Sequence, residues 1–407
     1  MVDLGGNTMS QAETAELHHS ARQVEDLARR LEKASAIALD VEGNGLFAYR
    51  TKLCTMQLAW MEGATLRIAI VDALAAPVAP LGPVLGKDGP LKILHDLAFD
   101  ARILAESGVP LANAHDTTIF ARFLGHEATG LARVLLRELG ISLDKRLQLH
   151  DWSRRPLGVD EIEYLAGDVA HLIALHDKLR ERAVEHDILE EVDVECRYRL
   201  DCAIASDDDP RPAYARLKHA SMLGPSERAL LRRLFDVREE LARRADVPPY
   251  RILPNERILA LSRSAPRDAR ELFRSTANDL PQPELWMGAV GSGLTDGDVP
   301  EPERRFFERR PVSAERAQKR RRLEGALTAW RRREAEARTV SEQVVLPGHC
   351  LASLVDLFLE PPDASAVDAA IDAISGIGAR RAARYRAEWL GILEMVTTTE
   401  PAETPSK

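Results

Sequence analysis

An apolar run that ends in two acidic residues constrains the fold of this chain more than any other stretch. Residues 37–42 read Ile-Ala-Leu-Asp-Val-Glu, which predicts a buried β-strand. Side chains alternate faces along a strand, so Asp40 and Glu42 point the same way at its end. Two like charges on one face repel each other and are costly to desolvate, so a fold that keeps them usually supplies a cation. Carboxylate oxygens suit Mg²⁺ or Mn²⁺, although a solvated strand end is the commoner setting for such a pair.

Three further residues are candidates to join this pair. A helical pattern that follows a short apolar run places Asp100 in its first turn, where the helix dipole alone also favours an acid. A later helical pattern carries Tyr164 and Asp168, which share one face because they lie four residues apart. Asp116, which precedes two threonines, is interpreted as a helix cap rather than a ligand.

Phosphodiester hydrolysis is a reaction that carboxylates and a phenol in one domain can serve. The attacking water must be activated and the leaving 3'-oxygen stabilised as it gathers charge, and two divalent ions supply both effects. A tyrosine with a reference pKa of about 10 is a poor base at neutral pH, but Tyr164 can hold and orient a water. The predicted catalytic and metal-binding set is Asp40, Glu42, Asp100, Tyr164 and Asp168, with the four acids as ligands.

Composition limits the class of protein. At 407 residues the chain is too long for one core of usual size. Residues 1–209 hold about 13 more acids than bases, and residues 210–395 hold about 5 more bases than acids, which suits a cation-holding part followed by one that meets polyanions. The 4 cysteines lack C-x-x-C spacing and no apolar run approaches a membrane span, so we expect a cytoplasmic protein without a disulfide framework.

Changes in composition also predict the domains. Residues 1–205 open with a β-meander and then alternate strands and helices, which is typical of an α/β domain. An acidic, Pro-flanked run follows, after which residues 211–282 are helical and rich in arginine. Residues 283–312 are rich in Gly, Pro and Asp and are expected to be a linker, before a second helical domain at residues 313–395 and a disordered tail at residues 396–407.

A Gly-Ile-Gly turn in the last helical segment is a candidate phosphate site. It is followed by Arg380 and Arg381 at the start of a predicted helix, so backbone N–H groups and positive charge can meet one phosphate there. A tight turn between two packed helices would have the same sequence. Both interpretations remain open at this point.

The order and spacing of these motifs resemble the ribonuclease D family, in the tyrosine branch of the DEDD exonucleases. The matching motifs are Asp40-x-Glu42, Leu94-His95 with Asp100, and Tyr164-x-x-x-Asp168. The stretches that lead into the third motif are also similar, namely Leu143-Asp144-Lys145, Asp151-Trp152 and Arg155-Pro156-Leu157. Residues 213–281 and, more weakly, 313–395 resemble HRDC domains, the helical modules that the family shares with helicases.

The resemblance implies an α/β ribonuclease-H-like exonuclease domain with a mixed sheet, followed by two small all-α HRDC-like domains. It implies a 3'–5' exoribonuclease that acts on RNA with a free 3' end, such as tRNA precursors, and releases 5'-monophosphates. Asp40 would bridge two divalent cations, Glu42 and Asp168 would hold the one that carries the nucleophile, and Asp100 would support the second. A monomer without a membrane anchor or an organic cofactor is expected.

Residues expected to contact RNA are Leu46, Phe47, His95, Arg380 and Arg381. One departure from the family concerns the grip on the terminal base. The family usually has an aromatic residue directly after the glutamate of the first motif, and Gly43 stands there in this chain.

Two other functions fit parts of the same pattern. A DNA 3'–5' exonuclease would use the same carboxylates, because they do not distinguish the two sugars. A binding protein with a silent nuclease domain would use only the helical modules. Retention of all the site residues argues against the silent protein, because an inactive site has no physical reason to keep mutually repelling acids.

Overall fold

The computed structural model describes most of the chain, in residues 15–205, 209–276, 280–308, 313–363 and 365–398. Contacts divide these residues into two compact units. The sheet unit comprises the described residues in the ranges 15–42, 53–205 and 313–398, and the helical unit comprises those in the ranges 43–52 and 209–308. No helix in the described residues is long and apolar enough to cross a membrane.

A six-stranded mixed sheet lies at the centre of the sheet unit, in the order β1-β4-β3-β2-β5-β6. The strands are β1 (Ala15–His18), β2 (Ala36–Gly43), β3 (Leu53–Glu62), β4 (Thr65–Asp72), β5 (Leu91–Leu94) and β6 (Ala114–Asp116). β3 and β4 form the predicted antiparallel hairpin, whereas β1 with β4, β2 with β5 and β5 with β6 run parallel. The mixed sheet confirms the predicted fold class.

Helices pack on both faces of this sheet. They are α1 (Ala21–Leu31), α2 (Gly82–Leu85), α3 (Ala98–Glu106), α4 (Thr117–Phe123), α5 (Leu131–Leu139), α6 (Val159–Ala170), α7 (Leu172–Glu185) and α8 (Leu189–Ile204). Asp116 caps α4 as predicted, because its side chain accepts a hydrogen bond from the Thr118 N–H. The helical pattern that carries Tyr164 and Asp168 ends with α6, since His171, with φ −113° and ψ −2°, separates α6 from α7.

The two faces of β2 serve two separate cores. Ile37, Leu39 and Val41 pack with α1 and α3 on one side of the sheet. Ala38 packs on the other side, with α4, α6, α7 and α8. Because side chains alternate along a strand, Asp40 and Glu42 follow Ala38 onto the face that α6 covers.

The helical unit is organised around one long helix. Its helices are α9 (Pro225–Ala245), α10 (Pro249–Ile252), α11 (Asn255–Ser264), α12 (Ala269–Thr276), α13 (Pro283–Asp296) and α14 (Glu301–Arg304). Trp286 and Val290 of α13 are buried in the same core as Leu230 of α9. A side chain at Gly293 would place its Cβ 2.9 Å from the Leu230 Cα, so this glycine lets the two helices approach closely. The prediction of a linker at residues 283–312 was therefore wrong for residues 283–296, which form α13, where Gly293 serves helix packing.

Five further helices follow in the chain and belong to the sheet unit. They are α15 (Ala314–Arg338), α16 (Glu342–Val345), α17 (Gly348–Leu359), α18 (Val367–Asp372) and α19 (Ala379–Thr398). Val344 of α16 is fully buried in the core that holds α4, α6, α7 and α8. A Cβ at Gly378 would lie 2.9 Å from the Val194 side chain of α8. These helices complete a core that the sequence analysis assigned to residues 1–205 alone. Most of the tail predicted at residues 396–407 lies outside the described residues.

Arg381 has a structural role that the sequence did not predict. Its side chain is buried, and its guanidinium donates to the carbonyls of Val344 at 2.8 Å, Gly376 at 2.9 Å and Glu191 at 3.4 Å. The neighbouring Arg380 forms an ion pair with Asp187 at the surface. The expected phosphate contact of Arg381 was wrong, because its donors are used inside the protein, whereas that of Arg380 stays a prediction.

We expect Arg381→Met to lower the free energy of unfolding by about 2–4 kcal/mol, because buried carbonyls would lose a charge-assisted donor. Arg380→Gln is a matched control one residue away and should cost much less, since its ion pair is exposed to solvent. Urea unfolding followed by tryptophan fluorescence measures both losses. Equal losses in the two variants would contradict the buried role of Arg381.

Candidate active site

Three acidic side chains meet at the end of β2. One carboxylate oxygen from each of Asp40, Glu42 and Asp168 lies within 4.8 Å of the other two. Asp40 and Glu42 come from β2, and Asp168 comes from α6, which covers this face of the sheet. Two residues that alternate with Val41 in the strand are thus joined by one that follows more than a hundred residues later in the chain.

Burial and mutual repulsion make these carboxylates hard to ionise. Burial raises the pKa of Asp40 to about 7. Burial, followed by the charges of Asp40 and Asp168, raises the pKa of Glu42 to about 9. Burial and then the charge of Asp40 raise the pKa of Asp168 to about 8. A bound cation would favour the charged form of these oxygen ligands.

Asp100 approaches the same strand from α3. It is 5% exposed, and its Oδ1 accepts a hydrogen bond from the Val41 N–H at 3.0 Å. Burial, together with the charge of Asp40, raises its pKa well above the ordinary value. Because α3 packs on the face of the sheet opposite α6, Asp100 contacts the backbone between Asp40 and Glu42 and stands outside the cluster of three.

Tyr164 lies one turn before Asp168 on α6. Burial raises its pKa, and the charges of Asp168 and Glu42 raise it further. Its phenol therefore keeps its proton at neutral pH. The Tyr164 ring packs beside the buried indole of Trp152, with ring centroids 5.7 Å apart.

The chemistry of the donor set fits a hard divalent cation. The cluster offers only carboxylate oxygens, which Mg²⁺ and Mn²⁺ prefer to nitrogen or sulfur ligands. A cation would also offset the burial and the repulsion that raise these pKa values. Asp40, Glu42 and Asp168 are thus able to hold a metal ion directly, and the position of Asp100 allows it to assist.

The remaining residues predicted to contact RNA have other contacts in the structure. Leu46 is 45% exposed, and its carbonyl accepts a hydrogen bond from the Tyr250 hydroxyl at 3.1 Å. The Arg251 guanidinium lies 5.2 Å from the centre of the Phe47 ring. His95 Nδ1 lies 2.8 Å from Thr117 Oγ1. RNA contacts by Leu46, Phe47 and His95 stay predictions.

Sequence reasoning missed a group of residues that supports Tyr164. Arg155, in the loop before α6, pairs with Asp72 at the end of β4, and Trp152 lies in the same loop. The motifs around Trp152 and Arg155 stand out in the sequence, but nothing in it pairs Arg155 with a particular acid. The position of Asp72 directly after a predicted strand was the sequence feature that could have drawn attention to it.

We expect Mg²⁺ to raise the melting temperature of the wild-type protein by several degrees, because binding to the folded state stabilises it. Asp40→Asn should raise the melting temperature of the metal-free protein at pH 8 and remove most of the Mg²⁺ effect, because it removes one of the repelling charges. Differential scanning fluorimetry measures both effects. Asp88→Asn, which neutralises an exposed acid, is the control, and an undiminished Mg²⁺ shift in Asp40→Asn would contradict the assignment of the cluster.

Comparisons with known proteins identify the family of the chain. A family model described as a 3'-5' exonuclease matches residues 17–183, and an HRDC domain model matches residues 227–277. A ribonuclease D from Xanthomonas oryzae pv. oryzae is 30% identical over 274 residues, which are 66% of this chain and 74% of that protein. A ribonuclease D from Gluconacetobacter diazotrophicus is 29% identical over 295 residues, which are 68% of this chain and 71% of that protein.

A solved structure shares the fold over most of the chain. The crystal structure of Escherichia coli RNase D, described as an exoribonuclease involved in structured RNA processing, covers 94% of this chain and 99% of its own, with a TM-score of 0.69 and 22% identity. At that identity the likeness concerns the fold, and the sequence relatives supply the family. The chain belongs to the ribonuclease D family of 3'–5' exoribonucleases.

Proposed function

We propose that this protein removes nucleotides from RNA 3' ends by hydrolysis at the cluster of Asp40, Glu42 and Asp168, with Asp100 and Tyr164 assisting. The observation that carries the proposal is the meeting of three carboxylates, with oxygens within 4.8 Å of one another, in a chain of the ribonuclease D family. All of these residues come from one sheet unit. A monomer can therefore form the site without an organic cofactor.

Two divalent cations, Mg²⁺ or Mn²⁺, suit the charge of the site. Asp40, Glu42, Asp168 and Asp100 together carry more negative charge than a single divalent ion neutralises. Bound cations would activate the attacking water and neutralise charge on the phosphate and on the leaving 3'-oxygen. The charge of Asp40 acts on both Glu42 and Asp100, so Asp40 would be the residue best suited to help hold both ions.

Asp100 and Tyr164 have distinct roles in this proposal. The hydrogen bond from the Val41 N–H fixes the Asp100 carboxylate against β2, so its free oxygen faces a constant direction. Tyr164 remains protonated, so it holds and orients a water rather than taking its proton. Hydrolysis then releases 5'-monophosphates, because the 3'-oxygen is the leaving group.

The substrates that we infer are structured RNAs with a free 3' end, such as tRNA precursors. The Escherichia coli protein of the same fold is described as acting in structured RNA processing, and this supports the inference. An excess of about 5 bases over acids in residues 210–395 adds support, because RNA backbones attract positive charge.

Tyr164→Phe should slow the chemical step by roughly 10²-fold or more and leave RNA affinity nearly unchanged, since only the hydroxyl that orients water is lost. Single-turnover rates at saturating enzyme, with RNA affinity measured separately, test this expectation. An unchanged rate would remove Tyr164 from the mechanism and leave it as a packing residue of α6.

DNA 3' ends are the alternative substrate, because carboxylates do not distinguish ribose from deoxyribose. We expect a strand with a terminal ribonucleotide to be cut at least about tenfold faster than the same strand with a terminal deoxyribonucleotide, provided that the site contacts the 2'-hydroxyl. Paired oligonucleotides that differ only in that hydroxyl make the comparison at fixed Mg²⁺. Equal rates would favour a nuclease without sugar selectivity.

A further inference from the structure

One arginine ties the loop before α6 to the sheet. The Arg155 Nε and Nη2 groups donate to the two carboxylate oxygens of Asp72, at 2.7 and 2.8 Å, and Nη2 also donates to the Cys54 carbonyl at 2.9 Å. Nη1 donates to the carbonyls of Trp152 and Arg154, both at 2.7 Å. A guanidinium has five N–H donors in a fixed plane, and here each of them has an acceptor. A lysine at this position has three donors and cannot reproduce the set.

Asp72 is itself held in place. It is the last residue of β4 and accepts hydrogen bonds from the Leu74 and Ala75 N–H groups, at 3.1 and 3.3 Å. Burial alone would raise the pKa of Asp72, but the hydrogen bonds and the charge of Arg155 outweigh burial and lower it. The Asp72 carboxylate is therefore charged at neutral pH, and its ion pair with Arg155 joins the loop to the ends of β3 and β4.

Trp152 connects this ion pair to Tyr164. The indole is 1% exposed and packs with Cys54, Ile70 and Leu165. The indole N–H has no hydrogen-bond partner among the described residues, so the ring is held by packing and by the bond from Arg155 to the Trp152 carbonyl. The indole in turn packs beside the Tyr164 ring, with an interplanar angle of 34°.

We propose that Asp72 and Arg155 are positioning residues for hydrolysis, which fix Trp152 and thereby the direction of the Tyr164 hydroxyl. The proposal rests on the function proposed above for Tyr164. Misplacement of a catalytic group by about 1 Å can cost on the order of 10²-fold in rate, so support of this kind affects catalysis as well as folding. Neither residue touches the substrate in this scheme.

The competing explanation is that the ion pair only stabilises the fold. A double-mutant cycle separates the two explanations, because a residue that acts through Tyr164 loses its effect once the hydroxyl is absent. Single-turnover rates on one RNA substrate at saturating enzyme and fixed Mg²⁺ are measured for the full chain. Arg155→Lys and Asp72→Asn are each made with Tyr164 present and in the Tyr164→Phe background. The rate of each variant is measured well below its melting temperature.

We expect Arg155→Lys to slow hydrolysis by about 10- to 100-fold when Tyr164 is present, and by less than about twofold in the Tyr164→Phe background. RNA affinity should not change. Asp72→Asn should show the same pattern with a smaller loss, because the amide keeps one acceptor. If Arg155→Lys fails to fold, the Asp72→Asn variant still tests the positioning role.

Arg182 provides a matched control. It pairs with Glu138 in the same sheet unit, and the two side chains are 25% and 6% exposed, against 24% and 10% for Arg155 and Asp72. Arg182→Lys should lower stability to a similar extent without a rate loss that depends on Tyr164. Equal rate losses for Arg155→Lys in the two Tyr164 backgrounds would overturn the positioning role.

A structural measurement keeps this proposal distinct from the function proposed above. If the wild-type protein does not hydrolyse RNA 3' ends, the proposed function fails, whereas the positioning role is still tested by crystal structures of the wild type and Arg155→Lys. We expect the Tyr164 ring to move or to become disordered in the variant. An unmoved, well-ordered Tyr164 would overturn the positioning role whatever the activity.

Discussion

Repulsion between carboxylates that the fold buries together is the constraint on which the rest of the sheet unit depends. Burial raises the pKa values of Asp40, Glu42 and Asp168, and neighbouring charges raise those of Glu42 and Asp168 further, so keeping the three side chains together is costly. They stay together because β2 is fixed from its other face, where Ile37, Leu39 and Val41 are packed between helices. Packing of the apolar side chains thus holds the strand in place despite the repulsion between the carboxylates. A bound cation would reduce that repulsion.

Local sequence patterns predicted much of this arrangement. The alternation in residues 37–42 is sufficient to place Asp40 and Glu42 on one face, and helical spacing is sufficient to place Tyr164 near Asp168. Asp116 was recognisable as a cap because its side chain bonds to a backbone group two residues away. Each of these features is decided within a few residues, where the backbone periods are fixed.

Features that depend on distant parts of the chain were not predictable in the same way. Composition indicated a linker at residues 283–312, because glycine is common in flexible segments. Glycine is also common where helices pack closely, and Gly293 lies at such a contact. The excess of bases in residues 210–395 indicated contact with polyanions, yet in that range Arg320 and Arg331 each have acidic partners and Arg381 is buried. A sequence does not show which acid or carbonyl an arginine will meet after folding, and that partner decides between a structural role and a binding role.

The site residues on β2 and those on α6 are consequently held in place by different interactions. Asp40 and Glu42 sit inside a strand whose neighbours hold it through backbone hydrogen bonds. Tyr164 and Asp168 lie on a helix that follows a long irregular loop, and such loops carry few backbone constraints of their own. The placement of Tyr164 therefore depends on side chains, among them the Arg155 guanidinium, which has acceptors on β3, β4 and the loop itself. Variation in this loop therefore offers a way to change the rate of a nuclease of this fold without changing its metal ligands.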